Sequence, residues 1–525
     1  MCLEKPMALK ICPHEQIKLV FSSPFCLSLF FLVSVLIVFN LAIKKPKSKT
    51  NLNKLPSPPK LPIIGNLHQL GTLTYSSLRD LSLKYGNVML LQFGQKPTLV
   101  ISSAEVAMEI MKTHDLAFSN RIQTTATNIL FYGCTDIGFA NYGENWRQKR
   151  KICVLELLSM KRVQSFRQIR EEEVDELVSK LREASSNDAY VNLSELFVET
   201  TNNIICTCSL GRKYGGASES DNRVKEIARD IMNHLSTFIV GDYFPSLAWV
   251  DVLSGKIRKI KDTFEDLDSV FDQVIEELLG VKKIENDQIK KKGFIDILLQ
   301  LKEDGMLGFE LSNNDIKAIL ENMFVGGTDT TSSTLEWAVS ELVKHPTIMK
   351  KTQEEVRRVL NDNSKVEESD INQMNYLKCV VKETLRLHPV LPFLVPRETI
   401  SNVKLNGYEI PEKISVYINA WAIQRDPKNW ENPDEFKPER FEHNQDGFKV
   451  QDFHFIPFGF GRRGCPGMNF AITTIEYVLA NILYWFDWKL PETDEGKQDI
   501  DMSEIFGFAL TKKEPLLLKP ILHFH

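Results

Sequence analysis

A cysteine, Cys465, stands among four glycines in Phe458-Gly459-Phe460-Gly461-Arg462-Arg463-Gly464-Cys465-Pro466-Gly467, directly ahead of an apolar stretch whose pattern predicts a helix from near Met468. This is the setting that a thiolate ligand to haem iron needs. The loop must bend tightly and approach a flat macrocycle, and glycine permits both without a Cβ clash. The positive end of the helix dipole is expected to lower the thiol pKa further. Arg463 carries a fork of N–H donors suited to a propionate carboxylate, whereas zinc would call for several Cys or His at short spacing, and none stands near Cys465. The bland alternative is a glycine-rich turn holding a buried cysteine.

Three further groupings have chemical potential. In Met323-Phe324-Val325-Gly326-Gly327-Thr328-Asp329-Thr330-Thr331 two glycines interrupt a long apolar helical pattern, at a cost of nearly 1 kcal/mol each. A threonine hydroxyl bonding back to an upstream carbonyl would widen such a helix locally. Glu383 and Arg386 lie at i and i+3, so they share a helical face and can pair. Trp146-Arg147-Gln148-Lys149-Arg150-Lys151 is a basic run whose plainest reading is a solvated helix face. His388 and His454 lack metal-ligand partners at useful spacing and read as structural.

These residues must be positioned by a mainly α protein with a minor β part. The periodicity predicts helices near 103–112, 143–157, 160–185, 190–210, 222–239, 257–281, 312–344, 346–361 and 374–387. Residues 88–101 read as two strands around a turn at 94–97, and strand signals return near 395–420. The charged run 282–292 reads as a loop. The chain has 525 residues, 43% of them apolar, enough for a sizeable core, and its net charge of −5 argues against nucleic acid as a partner. Nine scattered cysteines without a C-x-x-C pair are no disulfide framework, which points to a reducing compartment in which the sequon at Asn192 would stay unused. The G-x-G-x-x-G spacing of Gly459, Gly461 and Gly464 falls inside the cysteine loop rather than between a predicted strand and the helix of a βαβ unit, so there is no dinucleotide fingerprint, and no flavin pattern is present; reducing equivalents are expected from another protein.

Residues 19–43 contain no charged side chain, and a helix of that length would measure about 37 Å, enough to cross a hydrocarbon core of roughly 30 Å. Lys44, Lys45, Lys47 and Lys49 follow, and the positive-inside rule would hold them on the cytoplasmic side. We therefore expect a leader and membrane anchor over 1–43, a basic segment and proline-rich hinge over 44–66, and a catalytic domain over 67–525. A cleaved signal peptide is the competing reading, and Met7 is an alternative start.

The cysteine loop resembles the haem-binding signature of the cytochrome P-450 superfamily, Phe-x-x-Gly-x-Arg-x-Cys-x-Gly, matched by Phe458, Gly461, Arg463, Cys465 and Gly467. That resemblance implies haem b held between distal and proximal helices, with Cys465 as axial metal ligand favouring O–O cleavage, and Phe458, Gly459 and Gly467 beside the cofactor. It implies that Thr330 hydrogen-bonds the oxygen bound at iron and that Asp329 helps to relay protons, while the paired glycines make room for dioxygen. Trp146, Arg150 and Arg397 match propionate partners, and Arg440 in Pro438-Glu439-Arg440-Phe441 completes a folding triad with Glu383 and Arg386. Asn419-Ala420-Trp421-Ala422-Ile423 is similar to the plant A-type group, particularly its seventy-first family. The resemblance implies a monooxygenase anchored in the endoplasmic reticulum by a single span, its catalytic domain facing the cytosol. It would act with O2 and an NADPH-cytochrome reductase on a hydrophobic specialised metabolite: a terpenoid, a coumarin or phenylpropanoid, or an indolic or amino-acid-derived compound. Residues 118–139, the segment before Gly326, 390–395 and 506–510 are the expected pocket, and Arg147, Lys149 and Lys151 an expected part of the docking surface for the electron donor. A reductase-independent isomerase or dehydratase and a non-catalytic haem-binding protein are the alternatives.

Overall fold

The computed structural model describes residues 28–29, 31–34 and 54–523, apart from 215–218, 283–292, 306–307, 362–364, 444–452 and 492–499. Most of the expected anchor, 19–43, lies outside the described residues, as does most of the charged run 282–292. Among the described residues no helix is long and apolar enough to cross a membrane.

The helices that frame the site are α1 (Thr74–Tyr85), α2 (Glu144–Ile152), α3 (Arg167–Ser186), α4 (Leu193–Leu210), α5 (Glu219–Ser236), α6 (Lys256–Lys282), α7 (Phe294–Asp304), α8 (Asn313–Lys344), α9 (Pro346–Leu360), α10 (Asn375–Leu387) and α11 (Met468–Trp485). The long helix α8 runs through the middle, and much of its length is buried. It starts at a capping box, in which Ser312 Oγ accepts from Asp315 N and Asp315 Oδ2 accepts from Ser312 N. One apolar cluster joins α4, α5, α6, α7 and the first half of α8; another joins α3, the second half of α8, α9, α10 and α11. The functional cavity lies at the boundary between them.

The minor β part is a five-stranded sheet of β1 (Val88–Phe93), β2 (Lys96–Ile101), β3 (Asn120–Arg121), β4 (Arg397–Glu398) and β5 (Ser415–Ile418), in the order β1-β2-β5-β4-β3. β1 and β2 form the expected hairpin, with Gly94 at φ +57° in its turn. The proline-rich stretch is non-helical over 56–60, as its prolines require, then closes a turn from Leu61 to Gly65 with Ile63 and Gly65 at positive φ, and it packs against this hairpin: Leu55 is buried, and Asn66 accepts from Gln92 N and donates to the Pro58 and Pro59 carbonyls. Near the carboxyl end, β6 (Glu504–Phe506) and β7 (Leu510–Lys512) form a hairpin whose turn returns to the cavity.

Candidate active site

A cavity of about 280 Å³ separates α8 from the cysteine loop, with Cys465 and Thr330 both in its lining. Two glycines shape the loop. Gly459 and Gly461 sit at φ +63° and +74°, and a Cβ on Gly461 would stand 2.6 Å from the Met111 carbonyl oxygen, so no other residue fits there. Cys465 N donates to the Phe458 carbonyl at 2.8 Å, closing the turn, and α11 begins at Met468 as expected. The surface that Cys465 exposes is cavity wall rather than outer surface. Burial accordingly pushes its thiol pKa up, against the opposing pull of the Gly467 and Met468 N–H groups and the Arg150 charge. The start of α11 thus lowers the thiol pKa, as the sequence led us to expect, but in the protein alone burial outweighs it.

α8 passes through Gly326 and Gly327 without a break in its helical pattern. The two glycines have different jobs. A Cβ on Gly326 would meet nothing within 4 Å, so this position opens onto the cavity, whereas a Cβ on Gly327 would lie 2.9 Å from Ile205 Cδ1 and Cγ1, which reserves that position for close packing of α4. Thr330 Oγ1 donates to the Gly326 carbonyl at 2.6 Å, the back-bond foreseen from the sequence. Asp329 does not line the cavity; burial pushes its pKa up to about 6, moderated by the Arg229 charge.

Four arginines, Arg121, Arg150, Arg397 and Arg463, line the same cavity. Arg463 donates to the backbone carbonyls of Ser119 (2.7 Å), Ile137 (3.3 Å) and Ala140 (2.5 Å) and lies 4.1 Å from the Trp146 ring centre. A guanidinium has five N–H groups, so some remain for a ligand. Arg150 bonds the Gly464 carbonyl, and Arg397 pairs with Asp115 at 3.0 Å. Arg121 donates to Gly138 and to the carbonyls of Val395 and Pro396. Arg397 alone of the four forms an ion pair among the described residues, which leaves an excess of buried positive charge suited to an anionic ligand. Trp146 stands behind this wall, its Nε1 donating to the Ile137 carbonyl at 3.0 Å, and does not line the cavity itself.

A sequence model of one family, Cytochrome P-450, matches residues 55–519. The chain belongs to the cytochrome P-450 family. It is 52% identical over 499 residues to phenylacetaldehyde oxime monooxygenase CYP71AN24 of Prunus mume, covering 94% of this chain and 93% of the relative. It is also 52% identical to cytochrome P-450 71A1 of Persea americana, covering 86% and 90% of the two chains, and 45% identical to desmethylyatein synthase of Sinopodophyllum hexandrum, covering 94% and 98%. A zebrafish cytochrome P-450 solved with abiraterone has the same fold, with a TM-score of 0.74 at 23% identity, over 87% of this chain and 100% of that one. The protein is accordingly an oxidoreductase with a haem cofactor, and the donor set fits that group: a thiol at one wall of the cavity and surplus guanidinium charge for two carboxylates.

The P-450 folding triad is assembled away from the cavity. Glu383 takes both arms of Arg386, at 2.7 and 2.9 Å, and also accepts from Arg440 Nε at 3.2 Å. Arg386 spends its remaining donors on the carbonyls of Gln424, Pro433 and Glu435. His388 bonds Glu341 at 2.7 Å and stacks on Trp337, while His454 meets the edge of Trp430, so both are structural, as read from spacing. The basic run on α2 is not one solvated face. Lys149 is fully buried against Asp315 and the Thr135 carbonyl, which removes it from the expected docking surface. Ser194 of the sequon bonds Glu336 and receives Leu516 N, and Asn192 caps α4.

Sequence reasoning missed Ile205, Met232, Leu235 and Thr334 in the cavity lining, and it did not single out Arg121, which lies within the expected pocket segment 118–139, as a charged group of the site. It also missed Glu321, a fully buried α8 carboxyl with no hydrogen-bond partner on either oxygen. One signal for Arg121 was available: it and Asp136 are the only charged residues between 116 and 143, and both are buried.

Proposed function

We propose that this P-450 is a haem-thiolate monooxygenase that inserts one oxygen atom from O2 into an uncharged, largely apolar plant specialised metabolite, using electrons from an NADPH-cytochrome reductase. The observation that carries the proposal is the convergence of Cys465, Thr330 and four arginines, three of them buried, on one largely apolar cavity. Haem, when bound, would supply the oxygen-activating chemistry, with its iron tuned by the Cys465 thiolate.

The chain's own residues then do the following. Cys465 would hold the iron through its sulfur, while Gly459, Gly467 and Phe458, in the same cavity lining, would leave room for the flat group. Arg150 and Arg463 offer their remaining N–H donors to the propionates; Arg121 and Arg397 add charge, and Trp146 holds the Arg463 guanidinium in place. Thr330 presents a hydroxyl where dioxygen would bind, with its rotamer fixed by the Gly326 carbonyl. Asp329, next to Thr330 on α8 but outside the cavity lining, has a pKa of about 6 and can hold or release a proton near neutrality. Phe131, Phe139 and Phe508 form a wall suited to a flat apolar molecule, with ring centres 4.8 Å apart for the first pair and 6.1 Å for the second. Terpenoids, coumarins or other phenylpropanoids, and indolic or amino-acid-derived compounds are the substrate classes. Phenylacetaldehyde oxime, named in a relative, is the first to test.

In the same proposal residues 1–43 anchor the protein by a single span in the endoplasmic reticulum membrane, 44–66 orient the body, and 67–525 face the cytosol. Exposed Arg147 and Lys151 contribute to reductase docking. Turnover measured with and without reductase and NADPH tests the reading. Product formed only with both supports it, whereas product formed without reductase favours an isomerase or dehydratase.

A further inference from the structure

The carboxyl-terminal hairpin brings Phe508 to the cavity, yet its strands β6 and β7 have three residues each, and a pair that short does not hold its place by its own ladder. Its position depends on anchors outside it. Leu510 N donates to the Val390 carbonyl at 2.8 Å, Lys512 Nζ lies 5.4 Å from the Trp337 ring centre, and the Phe506 ring packs edge-on against Tyr75 (5.4 Å) and Phe393 (5.7 Å). A further anchor is charged. Glu504 accepts from Tyr75 Oη through one carboxylate oxygen and turns the other toward His388 Nδ1, 3.4 Å away. His388 follows directly on α10, and its Nε2 lies 2.7 Å from Glu341 Oε1 of α8. Trp337, one turn before Glu341, stacks on the imidazole with centres 4.1 Å apart and planes within 3°, which fixes the plane of the ring between the two carboxylates.

An ionised carboxylate only accepts hydrogen bonds, so a ring that faces one with each nitrogen is matched when both nitrogens carry protons, that is, as an imidazolium. The carboxylates match it in turn. Burial pushes both upward, but hydrogen bonds from His345 and His388 bring Glu341 down to about 2, and contacts with His388 and Tyr75, together with the Arg425 charge, hold Glu504 below the usual carboxylate range. We propose that His388 is a positioning residue for the substrate cavity: its positive charge, set between Glu341 of α8 and Glu504 of β6, fixes the hairpin and thereby the wall that Phe508 presents. His388 does not line the cavity, so it acts through the hairpin alone. The proposal rests on the reading of that cavity as the oxidation site.

The test uses full-length holoenzyme as wild type, Glu504→Gln, His388→Gln and the double variant. Glutamine at 504 keeps an oxygen that can accept from Tyr75, so that substitution removes the charge and leaves the tyrosine bond. Hydrogen exchange over 504–512 reads the hairpin directly: each single substitution is expected to speed it by about tenfold, and the double by no more than the larger single. Spectral titration reads the wall. Imidazole, which needs only the iron, should keep its midpoint within about twofold in Glu504→Gln, whereas N-(biphenylmethyl)imidazole, whose rings must lie along the apolar lining, should bind about tenfold more weakly. Unchanged exchange in Glu504→Gln, effects that multiply in the double variant, or equal weakening of the two ligands overturns the proposal. If His388→Gln fails to load haem, exchange and the ligand pair in Glu504→Gln decide it by the same criteria. Faster, non-multiplying exchange in the variants with no spectral response to either ligand in any protein upholds the anchor and faults the reading of the cavity instead.

Discussion

Gly326→Ala and Gly327→Ala are chemically identical changes one residue apart, and the geometry assigns them opposite signs. Alanine in a helix interior is favoured over glycine by about 1 kcal/mol. At 326 the new methyl meets nothing within 4 Å, so Gly326→Ala should stabilise the protein by about that amount while placing a methyl in a cavity of about 280 Å³. At 327 the methyl would lie 2.9 Å from two atoms of Ile205, whose side chain is only 2% exposed. Overpacking of this kind costs about 1–3 kcal/mol, so after the helical gain Gly327→Ala should destabilise by about 0–2 kcal/mol. Ile205→Val removes the Cδ1 contact; alone it should cost about 0.5–1.5 kcal/mol, but in the Gly327→Ala background it should cost less or become favourable. Urea unfolding of the holoenzyme gives the four stabilities of the cycle, and ligand titration gives a second readout, in which Gly326→Ala alone should weaken binding of a bulky ligand. Equal damage at both glycines, or strict additivity of Gly327→Ala with Ile205→Val, would refute the assignment.

Glu383→Ala should cost about 3–5 kcal/mol, because it leaves the fully buried Arg386 without its carboxylate, and the yield of haem-loaded protein should collapse while Arg147→Ala on the surface changes it little. Glu321→Gln should stabilise, and more so as pH rises: burial holds the Glu321 pKa well above the usual range, so the unfolded chain ionises first and this carboxyl weakens the fold increasingly once pH exceeds the unfolded value. Melting temperatures measured upward from about pH 5, just above an ordinary glutamate pKa of roughly 4.3, should show the variant's advantage growing with pH, and a constant offset would count against a neutral buried acid. Thr330→Ala should leave ligand binding nearly unchanged and divert electrons to hydrogen peroxide, read as product per NADPH consumed; unchanged coupling would reduce Thr330 to a structural back-bond.

What could be read from the chain was local. The Cys465 loop, the Gly94 hairpin turn and the 313–344 helix are dictated by residues next to one another, and each stands where its sequence placed it. What could not be read depends on partners far along the chain. Lys149 looks solvated until Asp315 is brought across from α8, and Arg121 has no motif around it until the carbonyls of Val395 and Pro396 arrive through β3 and β4 pairing. The paired glycines read as one feature, and both line the cavity, yet consecutive residues on a helix point about 100° apart, so a Cβ on Gly326 would meet open space while one on Gly327 would meet Ile205 of α4. The helix Phe294–Asp304 went unread because the charged run ahead of it masks its apolar face, which packs into the larger core. The pull of the α11 terminus on the Cys465 thiol was legible because helix starts are visible in a sequence; the larger opposing effect of burial was not.

The central claim, that Cys465 holds haem iron as a thiolate, is tested most directly by the carbon-monoxide spectrum of the reduced protein. Wild type should give the strongly red-shifted Soret band of a thiolate-ligated ferrous carbonyl, and Cys465→Ala, if it retains haem, should lack that band. A variant that keeps the band would contradict the account, since another group would then be the ligand.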